Sequence, residues 1–358
     1  MPTPLLFQPI TFRSVTARNR IVVSPMCQYS AIDGLGDDWH IQNLGAKAAG
    51  GAGIVMAEAT HVSAIGRITP GCLGAYDPKH APLLKRLAGV IVKCGAVPGI
   101  QIAHAGRKAS CQVPWDGGKP IPLKDGGWVP LAPSAIPMTP GAVDPHPLTP
   151  REIAEITGQF AASARMARDA GFKVLELHSA HGYLSHSFLS PISNQRNDSY
   201  GGDLNGRMRF LMETLDAIRA EWPADLPLWV RLSCSDYMPG GLTIDDVVEV
   251  AKLLAARGDV DLIDCSSGGV SHDQQIPSLH PGYQVPFADA IRHRAGIATG
   301  AVGMITEPTH AAEILANGRA DVVLLARAVL ADPGWPVRAA KALGVKPDLP
   351  SQYLRAAL

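Results

Sequence analysis

The sequence predicts a (β/α)8 TIM barrel, and three observations carry that expectation. Eight short apolar runs recur along the 358-residue chain. The stretches between them show helical spacing with legible ends. The first run ends in Ser24-Pro25-Met26-Cys27, not in the glycine-rich turn that a doubly wound dinucleotide fold needs there.

The runs are 20–24 (RIVVS), 53–59 (GIVMAEA), 98–103 (PGIQIA), 172–178 (FKVLELH), 228–233 (LWVRLS), 260–266 (VDLIDCS), 297–302 (IATGAV) and 321–326 (DVVLLA). They are near-continuous rather than cleanly alternating, which suits parallel strands covered by helices. Asp77-Pro78 opens a helix with Leu84, Leu87 and Ile91 on one face and Gly95 after it. Thr149-Pro150-Arg151-Glu152 gives an N-cap, a proline at N1 and an acid at N3, and Gly171 stops that helix. Thr243 precedes Val247, Val250, Ala251 and Leu254, and Thr306-Glu307-Pro308 opens a helix ending at Asn317-Gly318.

One segment breaks the rhythm. Residues 111–150 hold ten of the 30 prolines. That is too many for a helix, but Trp115 and Trp128 argue for an ordered cap. A long connection after the third strand lies on the C-terminal face of a barrel, where ligands bind. The chain therefore reads as one barrel domain over 1–358, with 111–150 as a cap and 345–358 as a C-terminal tail.

Composition narrows the function. Lys and Arg number 32 against 32 Asp and Glu, so nothing points to nucleic acid or an anionic membrane. No apolar run reaches membrane-span length, and the N-terminus does not resemble a signal peptide. The six cysteines form no CxxC pair and read as reduced thiols, with a cytoplasmic location expected.

In a barrel the strand ends converge. The first brings Pro25, Met26, Cys27 and Tyr29; the third brings Gln101 and His104; the fourth brings His178, His181 and Tyr183. Gly303 after the seventh and Arg327 after the eighth suit the phosphate pocket common in such barrels; the plainer reading is a turn glycine and a surface ion pair. Arg231 is in phase with Trp229 and Ser233 and opposite Leu228, Val230 and Leu232. A buried guanidinium needs a partner, either Glu176 on the next strand or an anion on a bound cofactor. Gln101 suits the edge of a heterocycle or a satisfied structural amide. His178 and His181 leave three readings open: two ligands of a metal-dependent hydrolase with His104 as the third, a structural pair, or two donors to one substrate oxygen.

The stretch Glu176-Leu177-His178-Ser179-Ala180-His181-Gly182-Tyr183-Leu184, followed by Phe188-Leu189-Ser190-Pro191, Asn194, Arg196, Asp198 and Tyr200-Gly201-Gly202, resembles the old yellow enzyme family of flavin-dependent ene-reductases. Ser24-Pro25-Met26-Cys27-Gln28-Tyr29, Gln101-Ile102-Ala103-His104-Ala105-Gly106-Arg107-Lys108, Gly282-Tyr283-Gln284-Val285 and 298–306 (ATGAVGMIT) are similar to its xenobiotic-reductase-like (thermophilic-like) branch. The resemblance implies noncovalent FMN and NADPH or NADH as reductant. It implies that Ser24, Pro25, Met26, Cys27, Ala59 and Gln101 line the flavin and that Arg231 faces its N1/O2 side. Val302, Gly303, Ala326 and Arg327 then hold the phosphate. His178 and His181 clamp the activating oxygen of an α,β-unsaturated carbonyl or nitro compound, Tyr183 or water gives the proton, and Tyr29 contacts substrate. Gln284-Val285 is expected in the loop over the pocket. Gln352-Tyr353-Leu354-Arg355 implies that Arg355 enters the site of a neighbouring subunit in a homodimer or homotetramer. The chain departs from the pattern at Asn205-Gly206, at the start of a helix, and at Ala326, where the family carries glycine.

Overall fold

The structure is a computed structural model describing residues 2–356. Eight parallel strands close a barrel: β1 (Ile21–Val23), β2 (Ile54–His61), β3 (Val97–Ala103), β4 (Val174–Ser179), β5 (Leu228–Ser233), β6 (Leu262–Ser266), β7 (Thr299–Ala301) and β8 (Val322–Leu325). Each of the apolar runs overlaps one. Closure is made by β8 on β1, with Val323 opposite Ile21 and Leu325 opposite Val23.

Between the strands lie α1 (Asp38–Ala49), α2 (Ala81–Lys93), α3 (Pro150–Ala170), α4 (Leu204–Glu221), α5 (Ile244–Arg257), α6 (Val285–Ala295), α7 (Pro308–Ala316) and α8 (Trp335–Ala342). Short helices Leu184–Leu189 and Arg327–Ala331 follow β4 and β8. The capping signals act as the sequence suggests. Thr149 and Glu152 cap α3 reciprocally, and Gly171 ends it at φ 97°. Thr243 and Asp246 do the same for α5. Asp77-Pro78 instead opens a 3-10 turn, Pro78–His80, and α2 proper starts at Ala81. At the Asn205-Gly206 departure, a Cβ on Gly206 would lie 2.0 Å from the Gly201 carbonyl oxygen, so the missing side chain lets α4 start against that loop.

Alternation sorts the strand residues. Leu228, Val230 and Leu232 pack outward under the helices. Trp229 packs inward with Val22, Ile54, Met56, Val174 and Leu324. An N-terminal hairpin, Ile10–Phe12 with Val15–Ala17, plugs the lower end of this interior. Its Phe12 ring meets Trp229 edge-on at 5.3 Å. The hairpin was not expected, because three-residue strands offer too few positions for a period to show.

The proline-rich connection is ordered as tight turns and one short strand pair, Leu131–Ala132 with His146–Pro147. It ends at the Thr149 cap, so Pro150 belongs to α3. Trp128 Nε1 donates to the Ile65 carbonyl at 2.7 Å, and Arg107 Nη1 to that of Ile136 at 3.1 Å. These bonds fasten the cap to the barrel's C-terminal face. Residues 345–348 of the tail lie at the opposite face, where Arg18 reaches Asp348, and Arg355 is exposed on a 3-10 turn, Ser351–Ala356; residues 357 and 358 of the expected tail lie outside the described residues. Among the described residues no helix is long and apolar enough to cross a membrane.

Candidate active site

The chain leaves β4 through a tight turn at the barrel mouth. His181 adopts φ 59° and Gly182 φ 75°. A Cβ on Gly182 would lie 2.1 Å from the Gly269 carbonyl oxygen, so only glycine fits beside the β6 loop. The His181 amide donates to Ser233 Oγ at 2.9 Å, and Lys108 Nζ donates to the His181 carbonyl at 2.8 Å. This turn brings three rings together. The His178 centroid is 5.1 Å from that of His181 and 4.7 Å from that of Tyr183, both edge-on.

Hydrogen bonding sets the His178 proton. His178 Nδ1 accepts the Ala180 amide at 3.2 Å, which leaves the proton on Nε2. His181 Nε2 lies 2.6 Å from Ser266 Oγ. Burial, then the nearby Arg231 charge, pushes both imidazoles well below their ordinary value. They are neutral donors at physiological pH. Burial, then Cys27, pushes the Tyr183 phenol well up, so it holds its proton. Lys108 Nζ sits 5.2 Å over the Tyr183 ring, and burial lowers that ammonium to about 8.

The β1 end supplies the facing wall. Cys27, Tyr29 and Tyr183 pack on a small apolar patch of Ile68, Cys72, Ala105 and Ala109. Burial raises the Cys27 thiol well above its usual range. Tyr29 has φ 53° and meets Trp115 of the cap edge-on at 5.9 Å. A cavity of about 410 Å³ runs from Tyr29 and Lys108 into the cap. Pro25 and Met26 are half-buried beside Ser24, and Ala59 is buried at a register shift in β2.

Arg231 points into the barrel with Trp229, and its acid is Asp264 on β6, not Glu176. Arg231 Nε lies an oblique 3.0 Å from Asp264 Oδ2, and Nη1 donates to Ser24 Oγ at 3.3 Å. Register explains the correction: Asp264 is directly opposite Arg231, whereas Glu176 is opposite Trp229, one level down. Glu176 instead accepts from Gln101 Nε2 at 2.7 Å, which orients that amide. Burial, then Asp264, raises the Glu176 carboxyl to about 8.

A second cavity, about 340 Å³, runs from Arg231 past Val302 and Gly303 to Ala326 and Arg327. Among the described residues Arg327 makes no ion pair or hydrogen bond, and its side chain is exposed. The surface-pair reading of Arg327 therefore has no acid to stand on. Gly303 has φ 120°, and a Cβ there would crowd Gln284 and Tyr283 at 3.0–3.2 Å. Gln284 is buried against this cavity, with Oε1 accepting from Ser267 Oγ at 2.5 Å. Val285 begins α6 in the core, which corrects its expected place over the pocket. Among the described residues no three His, Cys, Asp or Glu side chains converge as a metal site, so His104 does not complete the hydrolase set. Its Nδ1 is taken by the Gly106 amide at 3.0 Å. Lys108, Ser266 and Asp264 are the site residues to which the sequence reading gave no role. The second acid of the run VDLIDCS, three residues after Asp261 and inside the apolar stretch, was the available signal for Asp264.

An eight-stranded parallel barrel thus gathers at its mouth a buried guanidinium, neutral imidazoles and a cavity that runs past Gly303 to Arg327. The profile of the NADH:flavin oxidoreductase / NADH oxidase family matches residues 5–345. The chain is 47% identical over 356 residues, 98% of both chains, to an NADPH dehydrogenase of Geobacillus sp. (strain WCH70). It is 45% identical over 353 residues, again 98% of both, to an NADPH dehydrogenase of Listeria innocua. Among solved structures, a 2-naphthoyl-CoA reductase superposes with TM-score 0.86 at 29% identity, covering 94% of this chain and 52% of that one. The chain thus spans about half the length of that reductase. Morphinone reductase in complex with tetrahydroNAD shares the fold, with TM-score 0.77, 23% identity and coverage of 98% and 94%. The chain belongs to the NADH:flavin oxidoreductase / NADH oxidase family. It is an FMN-dependent oxidoreductase of the old yellow enzyme type.

Proposed function

We propose that the protein is an NAD(P)H:alkene oxidoreductase that reduces activated C=C bonds of α,β-unsaturated carbonyl or nitro compounds. The observation that carries this reading is the pair of neutral imidazoles, His178 and His181, set beside a protonated Tyr183.

The residues present fit FMN. Arg327 is a cation without a partner among the described residues, Gly303 leaves a cradle that a Cβ would crowd, and Arg231 Nε lacks a straight hydrogen bond. Val302, Gly303, Ala326 and Arg327 would hold the phosphate. Ser24, Pro25, Met26, Cys27, Ala59, Gln101 and Arg231 would hold the ring and ribityl chain. When bound, FMN supplies the hydride store filled by NAD(P)H.

The chain's own groups do the rest. His178 and His181 donate to the carbonyl or nitro oxygen and stabilise the charge that grows there. A neutral donor does so without giving up its proton. Tyr183 keeps its phenolic proton ready for the α-carbon, with water as the alternative source. Tyr29 and the cap, 111–150, bound the substrate side and limit water. We further propose that the enzyme is cytoplasmic and a homodimer or homotetramer. The exposed Arg355 then enters a neighbour's site.

The test is the His178→Ala/His181→Ala enzyme. Retained FMN with lost binding of a phenol and lost alkene reduction supports the reading. Unaltered alkene reduction rejects it. Arg355→Ala with unchanged kinetics and assembly rejects the intersubunit role.

A further inference from the structure

The turn that carries His181 and Tyr183 has a support that the proposed chemistry does not use. The Gly182 amide, buried between them, donates to His186 Nδ1 at 2.7 Å. His186 lies in the short helix Leu184–Leu189 and is fully buried. An Nδ1 that accepts an amide proton carries none of its own. The ring proton is therefore on Nε2, and Nε2 faces Asp236 Oδ1 at 2.9 Å, with both side chains 0% exposed. The line of approach is oblique, and neither atom has another hydrogen-bond partner among the described residues. Asp236 is itself fixed. Its Oδ2 accepts from Ser190 Oγ at 2.6 Å and from the Leu242 amide at 2.8 Å. Burial raises this carboxyl, but the His186 ring and those two bonds outweigh burial and hold it below its ordinary value.

The geometry points to a positioning relay, Asp236 to His186 to the Gly182 amide, that fixes the imidazole tautomer and thereby holds His181 and Tyr183 in place. His181 sits at φ 59°, a conformation that costs a non-glycine residue energy. Such a residue stays put only if its neighbours over-determine it. Ser233 and Lys108 hold the two backbone groups of His181, and His186 holds the next amide. The logic is that of a carboxylate that orients a histidine by selecting its tautomer, applied here to a backbone amide rather than a nucleophile. His186 and Asp236 are positioning residues, not catalytic ones. The inference rests on the proposed role of His181 and Tyr183 in binding a substrate oxygen.

The relay makes an asymmetric prediction for three substitutions in the FMN-loaded enzyme. His186→Leu removes the acceptor. His186→Asn restores one, because the Asn side-chain oxygen takes the place of Nδ1. Asp236→Asn keeps the shape, but its oxygen stays with the Ser190 and Leu242 donors, so its NH2 faces His186. The ring then presents a lone pair at Nε2, and its proton moves to Nδ1, against the Gly182 N–H.

The readouts are the affinity for 4-hydroxybenzaldehyde, titrated by the flavin absorbance change, and the His186 ring nitrogens by NMR. We expect His186→Leu and Asp236→Asn to weaken the phenol by about 10- to 100-fold with FMN retained. His186→Asn should stay within about threefold of the wild type. The wild-type ring should be protonated at Nε2 and the Asp236→Asn ring at Nδ1. If His186→Leu does not fold, the other two variants still decide. The relay is overturned if Asp236→Asn leaves tautomer or affinity unchanged, or if His186→Asn binds as weakly as Asp236→Asn. A wild-type enzyme that does not bind the phenol at all overturns the underlying functional reading instead.

Discussion

Replacing His178 by alanine isolates the clamp. The ring is 4% exposed, its Nδ1 is committed to the Ala180 amide, and Nε2–H is its free donor. Removing one donor from a water-excluded site of developing negative charge costs about 2.7–4 kcal/mol. His181 remains as the second donor, so the lower end applies, and alkene reduction should slow by about 100-fold. The assay is anaerobic stopped-flow mixing of photoreduced enzyme with cyclohexenone, which avoids the reductant altogether. FMN content should hold, because His178 does not border the cavity between Arg231 and Arg327. The imidazole is pushed well below its ordinary 6.5, so the wild-type rate should show no imidazole titration between about pH 6 and 8. A slowing of less than about fivefold, or a wild-type rate that follows a group near pH 6.5, refutes neutral-donor catalysis.

Three further perturbations test the scaffold. Glu176 is raised from 4.5 to about 8, so its folded state binds a proton the unfolded state releases. That contribution is whole below about pH 4.5 and is lost as pH rises through about 8. Glu176→Gln should flatten the fall in melting temperature of the holoenzyme over that window, and an unchanged slope contradicts the shift. Gly182→Ala puts a Cβ 2.1 Å from the Gly269 oxygen at φ 75°. It should cost about 2–5 kcal/mol in strain and overpacking, read by denaturant unfolding, together with weaker phenol binding. Arg231→Met strands the buried Asp264 carboxylate and should cost about 3–5 kcal/mol. Adding Asp264→Leu should recover stability but not FMN affinity, and recovery of both would deny Arg231 its cofactor role.

The barrel was legible because each strand is a near-continuous apolar run buried on both faces, and because α3 and α5 carry reciprocal caps. Phase separated Arg231 from Leu228, Val230 and Leu232, and the structure turns its set inward. What failed depends on partners far apart in sequence. The choice of Asp264 over Glu176 is a matter of cross-strand register, which a single strand does not encode. Lys108 and Ser266 join the site through partners such as the His181 carbonyl and ring, contacts that span 73 and 85 residues. Val285 sits beside a cavity-lining Gln284, yet the start of α6 turns it into the core. Of the candidate site, the meeting of His178, His181 and Tyr183 and that of Gly303 and Arg327 along one cavity were readable, because short motifs end directly at strand ends.

The most direct test is an anaerobic absorbance spectrum of the purified protein, taken alone, after NADPH, and after cyclohexenone. The account predicts an oxidised flavin spectrum that NADPH bleaches and cyclohexenone restores. A colourless protein, or a flavin that NADPH reduces and cyclohexenone leaves bleached, would contradict it.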